Sequence, residues 1–372
     1  MGYNIFTDIL PVRGYSRGLF YDFGKQKLKF APNTLLDFFK GNNYVDKNDL
    51  PQEYLDFLLR EKFVFEISNR LKDCFPKLSN DYDSYSIIRH LLIEIDFETR
   101  LEELETTISF IENELYCYHL ILIIKEDLSY HKELICNLVK SNTVDNFESI
   151  GIKSFVDKSE TINEILVKTK KITNFYIVDK KIDIIHKDLD FERQQVYRVP
   201  VKSNENYNFV SSELFSINLS MYSESQKHNT YFNRKLYIKS NGEIKSSVES
   251  QEMFGYLHEI KKPEELKAII SRSNFQKYWF VHKEICDVCK DCEFRHMCVD
   301  NRLPFQREDG TWYHKEECNY NPYICKWRGE EGYLSLKECG VTSNESGFNI
   351  NHEKIEAINK ILWKKDKETE SA

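Results

Sequence analysis

Four cysteines in the last third of the chain have the residue type and the spacing of a metal site. Cys289-x2-Cys292-x5-Cys298 forms a close trio, and Cys318 follows after nineteen residues. A CxxC pair places two sulfurs on one turn, and four soft thiolates suit either Zn2+ or a [4Fe-4S] cluster. The spacing therefore predicts a metal centre at these four cysteines and leaves both metals open.

The distribution of cysteines and the flanking sequence argue against a disulfide framework. Seven of the ten cysteines lie between residues 286 and 339. The amino terminus, Met-Gly-Tyr-Asn-Ile-Phe, has neither a secretory signal nor a myristoylation signal. The longest unbroken apolar run, residues 120–124, is far shorter than the ~20 residues that span a bilayer. We expect a cytoplasmic protein without membrane association, in which thiols stay reduced and clustered cysteines bind metal.

Length and charge limit the classes of function. The chain has 372 residues, which suggests two or three domains, and 41% of them are hydrophobic, which is ample for buried cores. Its formal net charge of −8 disfavours a nucleic-acid binder, because that affinity rests on Lys and Arg against phosphates. Neither a dinucleotide-binding glycine motif nor a P-loop motif is present.

The other six cysteines fall outside the four-ligand pattern. Cys286 and Cys325 are reserve ligands because of their closeness to the pattern, and Cys339 is more remote. The three earlier cysteines are far apart in sequence, and we expect them to be buried packing thiols, since free cysteine is often buried. These are Cys74, Cys117 and Cys136.

Further polar residues could support chemistry but form no catalytic pattern. Three histidines near the cysteines could enter a mixed zinc site, and surface or supporting roles are the favoured interpretation: His282, His296 and His314. Three carboxylates at strand ends could lie at a barrel mouth, and solvated loop acids are the favoured interpretation: Glu94, Asp96 and Asp183.

Sequence patterns divide the chain into an α+β start and a βα middle. In residues 1–80 a hairpin around residues 23–26, two helices and a strand at 63–67 predict a winged-helix-like unit. In residues 85–230 apolar runs alternate with helical periodicity, as in Leu101, Leu104, Ile108, Ile111 and Leu115. This alternation predicts parallel βαβ units in an open sheet or in a full or partial barrel.

The remainder of the chain changes character. Within residues 231–340 a strand reaches the Asn241-Gly242 hairpin turn, a helix opens at Pro263, and the cysteine segment follows. Residues 341–372 predict an amphipathic helix at 351–363 and a charged tail.

With these features together, the chain resembles a SPASM-domain protein, and more closely the SPASM-domain peptide maturase of grasp-with-spasm systems. The matching stretches are residues 11–14, 232–237, 289–298 and 318–323, with Trp327. The resemblance implies an α/β fold, namely a partial (β/α) barrel of radical-SAM type between a winged-helix-like leader-peptide recognition domain and a carboxyl-terminal SPASM domain.

The resemblance also implies which metal ligands remain. SPASM domains commonly hold two auxiliary clusters, and the cysteines of the first correspond to Cys289, Cys292, Cys298 and Cys318. The second set is missing, since Ser246 or Ser247, Ile260 and Arg302 occupy its positions. One [4Fe-4S] cluster is therefore expected, with Zn2+ as the alternative.

Radical SAM catalysis requires a CxxxCxxC motif, and this sequence has none. The resemblance therefore implies a maturation factor that binds a precursor peptide and acts with an ATP-grasp ligase, without cleaving S-adenosylmethionine. A zinc-stabilised binding module and a redox enzyme that uses the single cluster are the alternatives.

Overall fold

The computed structural model describes residues 1–41, 43–75, 77–79, 81–155, 159–179, 181–182, 185–191, 194–200 and 210–363. Within these ranges the chain has a mixed α/β architecture. One large sheet occupies the middle of the sequence, and small antiparallel sheets precede and follow it. The predicted α/β class is confirmed at this level.

The amino-terminal region contains two three-stranded antiparallel sheets, with orders β5-β1-β6 and β2-β3-β4. The predicted hairpin is present as β3 and β4, in which Asp22 pairs with Lys27 across the turn. The elements are β1 (Gly2–Ile5), β2 (Ile9–Arg13), β3 (Gly18–Asp22), β4 (Lys27–Ala31), α1 (Asn33–Leu36), β5 (Tyr44–Asp46), α2 (Gln52–Glu61) and β6 (Val64–Ile67).

Strand β3 is buried on both faces. Phe20 packs into the amino-terminal core with Phe63. Its neighbours Leu19 and Tyr21 point to the opposite face, because side chains alternate along a strand, and they join a cluster that contains Phe294 of the cysteine-rich region. The hairpin is therefore sandwiched between the amino-terminal helices and the cysteine-rich region.

The large sheet has the strand order β11-β12-β10-β9-β8-β7-β13-β14. Strands β12, β10, β9, β8, β7 and β13 pair in parallel, and β11 and β14 add antiparallel edges. The elements are β7 (His90–Ile95), α3 (Leu101–Leu115), β8 (His119–Ile124), α4 (Leu128–Lys140), β9 (Ser149–Ser154), α5 (Ser159–Lys168), β10 (Ile172–Asp179), β11 (His186–Phe191), β12 (Gln194–Pro200), α6 (Leu219–Ser225), β13 (Lys235–Ile238) and β14 (Ile244–Lys245).

The predicted βαβ alternation is confirmed from β7 to β10. Helix α3 buries the side chains at 104, 108, 111 and 115, which are spaced as in the predicted apolar stripe. The predicted turn at Asn241-Gly242 joins β13 to β14, and Gly242 has the positive φ of +86° that glycine adopts without strain. Of the strand predicted at 182–185, residues 183 and 184 lie outside the described residues, and strand β11 begins at His186.

Helices α3, α4 and α5 cover one face of the large sheet. Their apolar residues form one core cluster with alternate strand residues such as Leu91, Ile93 and Leu122. The intervening residues, Leu92 and Ile123, belong to a separate cluster on the opposite face. One face is thus buried under helices, and on the other Val248, which follows β14, packs against this second cluster.

The carboxyl-terminal region is rich in loops and two-stranded sheets. Helix α7 begins at Pro263, and α8 begins after Asn351, whose side chain accepts from the N–H of Lys354 at 3.0 Å. The elements are α7 (Pro263–Ile270), β15 (Pro304–Gln306), β16 (Trp312–His314), β17 (Tyr320–Asn321), β18 (Lys326–Trp327), β19 (Val341–Asn344), β20 (Gly347–Ile350) and α8 (His352–Leu362).

Among the described residues, no helix combines the length and the apolar character that crossing a membrane requires.

Candidate metal centre

The structure brings the four cysteines of the predicted metal site around one cavity. Cys289, Cys292, Cys298 and Cys318 all line this cavity, whose volume is about 30 Å³. The N–H of Cys292 donates to the carbonyl oxygen of Cys289 at 3.0 Å, which closes the turn of the CxxC pair. All four side chains are half-buried. The cavity is thus surrounded by thiols from two loops that are remote in sequence.

The separation of the sulfurs bears on which metal they suit. Among the residues that the structure describes, only Cys289, Asp300 and His314 offer three ligand atoms within 4.8 Å of one another. No three sulfurs of the cysteine set therefore lie that close together. A tetrahedral zinc site, with Zn–S of about 2.3 Å, holds its sulfurs about 3.8 Å apart. The four thiols are spaced more widely than a single zinc ion requires.

Cationic side chains share the cavity with the thiols. Lys283, Arg295 and Arg302 line it, and Arg302 Nη2 lies 4.0 Å from the Sγ of Cys289. Burial raises the pKa of the Cys289 thiol, while Lys283 and Arg302 oppose that rise. Ligation requires thiolates, and these cations favour the negative charge that a thiolate centre accumulates.

A buried carboxylate fixes two of these cations. Lys283 Nζ donates to Asp300 Oδ2 at 2.7 Å, and Arg302 donates to both carboxylate oxygens at 2.7 and 2.9 Å. Burial alone would raise the pKa of Asp300, but Arg302 and Lys283 lower it well below its ordinary range. Burial alone would also lower the pKa of Lys283, whereas Asp300 and the nearby cysteines raise it. The three side chains of Asp300, Arg302 and Lys283 therefore stay ionised, and together they place a net positive charge beside the thiols.

His314 is buried beside the centre and is not a surface group. Its Nδ1 lies 3.3 Å from the carbonyl oxygen of Leu303, so Nδ1–H donates and Nε2 presents a lone pair. Nε2 has no hydrogen-bond partner among the described residues and lies 3.7 Å from Asp300 Oδ2. Burial, followed by Arg302, lowers the pKa of His314 to about 3, so the ring is neutral.

A second, larger cavity borders two of the same cysteines. Its volume is about 230 Å³, and Cys289, Cys318 and His314 contribute to its lining. The exposed Lys315 and Lys337 line it as well, so it connects these cysteines with solvent. A small molecule or ion could reach the thiols by this route.

The two reserve cysteines lie near the four thiols. Cys325 belongs to the same cluster as Cys292 and Cys318, and Cys286 interacts electrostatically with Cys289. Within the described chain, the lining of the thiol cavity includes none of Cys286, Cys325 and Cys339. Burial raises the pKa of Cys286 and of Cys325 to about 12, and both remain thiols in these surroundings. The Cys339 sulfur lies 3.3 Å from the Asn321 amide nitrogen.

Two of the three early cysteines are buried, as predicted, and the third is not. Cys117 and Cys136 belong to the core of the large sheet. Cys74 is exposed, so the prediction of a packing thiol is wrong there. It follows strand β6 in a segment where residues 69–75 are all half-exposed or fully exposed, so no core is available to bury it.

One of the three strand-end carboxylates, Glu94, differs from the solvated loop acids that the sequence favoured. Glu94 is 9% exposed, accepts a hydrogen bond from the Tyr237 hydroxyl, and forms an ion pair with Lys125, whose Nζ lies 3.1 Å from Glu94 Oε2. Glu94 therefore belongs to the face of the large sheet that the helices leave uncovered, and its prediction is wrong. The Asp96 carboxylate accepts hydrogen bonds from the N–H and the hydroxyl of Thr99 in the following loop. Asp183 lies outside the described residues.

The same sheet face carries two buried lysines that sequence analysis did not single out. Lys153 on β9 and Lys235 on β13 are each 5% exposed. The Lys235 Nζ lies 3.1 Å from the ring centroid of Tyr231, whose hydroxyl donates to Glu249 at 2.7 Å. Burial lowers the pKa of each lysine to about 7, although Glu249 opposes the shift.

Sequence analysis also missed the charged group beside the thiols. Asp300 and Lys283 carry no motif of their own, and their only signal is closeness to the trio at 289–298. In the sequence, Arg302 stands out only because it occupies the position of a missing ligand of the second cluster. Their pairing depends on how the loops pack.

We compared the chain with models of protein families, with curated proteins and with solved structures, and none of them matches it.

Proposed function

We propose that this protein is a cytoplasmic maturation factor for a ribosomally synthesised peptide, built around one metal centre. In this proposal Cys289, Cys292, Cys298 and Cys318 hold a [4Fe-4S] cluster, and the protein binds the precursor peptide and acts with an ATP-grasp ligase. The observation that carries the metal centre is the convergence of these four cysteines on one cavity. The peptide and the ligase rest on the resemblance to SPASM-domain maturases.

Two features of the site favour a cluster over a single zinc ion. The sulfurs are spread more widely than one tetrahedral ion needs, whereas a cubane separates its four cysteine ligands around four irons. Lys283 and Arg302 also place positive charge against the thiols, which offsets the negative charge of a four-thiolate cluster. A cluster with four protein ligands leaves no iron open, so its role is structural or redox.

Zinc is the second candidate, and one observation favours it. Cys289, Asp300 and His314 place a sulfur, a carboxylate oxygen and an imidazole nitrogen within 4.8 Å of one another. Against this, both oxygens of Asp300 already accept hydrogen bonds from Arg302, and Lys283 adds another cation. A divalent cation there would face two positive side chains, so the four-cysteine site is preferred.

The large sheet supports a radical-SAM-like scaffold without radical chemistry. Strands β7, β8, β9 and β10 are sequential, parallel neighbours, and the intervening helices share one face, as in a singly wound (β/α) barrel. We propose that this region is a partial barrel of that type. With no CxxxCxxC motif, it does not cleave S-adenosylmethionine.

The amino-terminal hairpin offers the proposed docking edge for the peptide. Strand β4 pairs with β3 alone among the described strands, so its other edge has main-chain groups for strand addition. Lys27, Lys29 and Phe30 on this strand are exposed. An extended peptide could pair there while its side chains contact Phe30.

Metal analysis of protein purified without oxygen tests the centre. We expect about four irons and four sulfides per chain, with broad absorption at the blue end of the visible spectrum. Cys298→Ser should lose this metal, and Cys325→Ser should keep it, because Cys325 lies outside the cavity lining. A content of one Zn2+ per chain without that absorption would show that the centre holds zinc and not a cluster.

The same reduced protein tests the absence of radical chemistry. Incubated with S-adenosylmethionine, it should form no 5′-deoxyadenosine above background, and repeated turnover would contradict the proposal.

A further inference from the structure

The loop that carries Cys292 is hydrogen-bonded to the end of strand β2 and to the turn between β2 and β3. The N–H of Tyr15 donates to the carbonyl oxygen of Asp291 at 2.7 Å, and Arg295 Nη1 donates to the carbonyl oxygen of Arg13 at 2.7 Å. A Cβ on Gly14 would lie 2.5 Å from the Arg17 carbonyl oxygen and 3.0 Å from atoms of Glu293. The two backbones thus approach as closely as glycine permits.

A buried ion pair reinforces these ties directly beside a metal ligand. Glu293 follows Cys292 in the chain and its side chain is 0% exposed. Arg17 Nε donates to Glu293 Oε1 at 2.9 Å, and the Tyr320 hydroxyl donates to the same oxygen at 2.5 Å. Glu293 Oε2 has no partner among the described residues. Arg17 is therefore the cation that compensates this carboxylate, and its removal would leave a buried charge beside Cys292.

Arg17 also contacts the exposed edge strand. Its guanidinium carbon lies 3.6 Å from the ring centroid of Phe30, a residue of β4 that is 46% exposed. The Phe30 ring makes an edge contact with Phe294, the second residue after Cys292, at 5.8 Å between centroids. Strand β4, Arg17 and the loop that carries Cys292 therefore form one continuous set of contacts.

We propose that Arg17 is a positioning residue for Cys292, and that it couples strand β4 to the metal centre. The inference rests on the proposed metal centre and extends it, because the ligand geometry then depends on a segment about 280 residues away in sequence. Binding free energies couple reciprocally, so metal occupancy should order β4 and a ligand on β4 should alter metal retention.

Metal release to a chelator from protein reconstituted with iron and sulfide tests the positioning role. Mutation of a residue that orients a metal ligand typically lowers the metal affinity about 10- to 100-fold. We expect Arg17→Gln to release metal at least about tenfold faster than wild type. Arg17→Lys, which keeps the charge but not the planar stack on Phe30, should be intermediate. Release at the wild-type rate from Arg17→Gln would overturn the inference.

Arg60→Gln is the matched control. Arg60 belongs to α2 of the same amino-terminal region, is 70% exposed, and also lies over a phenylalanine ring, that of Phe57. Arg60→Gln should release metal at the wild-type rate. Release as fast as that from Arg17→Gln would show that the Arg17 effect is general destabilisation and would contradict the inference. Should Arg17→Gln fail to fold, Tyr320→Phe decides, because it removes one hydrogen bond to Glu293 and keeps the ring. Wild-type release from that variant would then overturn the inference.

Amide hydrogen exchange at residues 27–31 tests the coupling. Loading with iron and sulfide should slow exchange there in wild type and in Arg60→Gln, and should have no effect in Arg17→Gln. Identical exchange in loaded and metal-free wild-type protein would refute the coupling. If wild type binds no metal, the proposed function fails. The positioning role of Arg17 is then judged in metal-free protein, where Arg17→Gln should speed exchange at 289–298 and Arg60→Gln should not. Equal exchange in the two variants would refute this role.

Discussion

Several charged side chains of this protein are buried, and their partners determine the free-energy cost of that burial. Asp300 is 0% exposed yet ionised, because two cations donate to it. A buried ion pair gives little net stability, but removing one partner leaves an uncompensated charge. Lys235 differs, since the aromatic face of Tyr231 and the more distant Glu249 compensate it only in part.

The depressed pKa of Lys235 makes stability depend on pH. The folded-state pKa is about 7, below the ordinary value of 10.5, so the unfolded chain binds more protons between these two values. Lys235 should therefore make the free energy of unfolding rise with pH from about 7 to 10.5, by up to about 1.4 kcal/mol per pH unit. Lys153, whose pKa burial also lowers to about 7, adds a contribution of the same sign. Lys235→Met should lack this contribution and be more stable than wild type near pH 7.

Urea denaturation at pH 7, 8 and 9 measures this slope. Lys277→Met, at an exposed position of the same region, is the control and should follow wild type. Equal slopes for wild type and Lys235→Met would show that Lys235 does not titrate in this range.

At the scale of elements, the cysteine-rich segment has little regular structure of its own. Its strands β15 to β18 span two or three residues each, and the four thiols lie outside them, three before β15 and Cys318 between β16 and β17. A metal bound by the four thiols would join the loop before β15 to the loop before β17, so metal binding energy is also folding energy here. The sheet of β7 to β10, by contrast, has a continuous apolar core.

Cys298→Ser should therefore loosen one segment and not the whole chain. We expect faster amide exchange and protease cleavage across residues 286–330, with β7 to β10 unchanged. Cys325→Ser tests a buried cysteine of the same segment that lies outside the thiol cavity, and it should keep native protection. Unchanged protection in Cys298→Ser would show that the segment folds without the centre.

At the scale of the whole molecule, the two ends of the chain pack against each other. Leu19 and Tyr21 of β3 share a cluster with Phe294 and Tyr320, and Tyr15 contacts His352 of α8. An isolated fragment of residues 1–80 would expose this face of the hairpin. Peptide binding is therefore best tested on the full chain.

We expect a precursor peptide encoded beside this gene to slow amide exchange at residues 27–31 of the full-length protein. Main-chain pairing along the edge of β4 that no described strand occupies would protect the alternate amides facing away from β3 by at least about tenfold at saturation. A peptide of the same composition in scrambled order is the control. Protection confined to other segments would move the docking site, and no protection at high peptide concentration would contradict peptide binding.

Local patterns in the sequence determined the elements and the ligand types. Helical periodicity predicted α3, the Asn241-Gly242 pair predicted a hairpin, and the spacing of the trio selected three cysteines of one turn-rich loop. Each of these signals depends on residues a few positions apart, so sequence alone contains it.

Only the tertiary structure decided which remote residues meet. β13 pairs with β7 across more than a hundred residues, Lys283 meets Asp300, and Arg17 meets Glu293. Such pairings follow from the burial of whole faces, and no local periodicity encodes them. The same applies to Glu94, which lies near the end of β7 and is buried on the face that carries Leu92 and Tyr237, because the fold also covers this second face of the sheet.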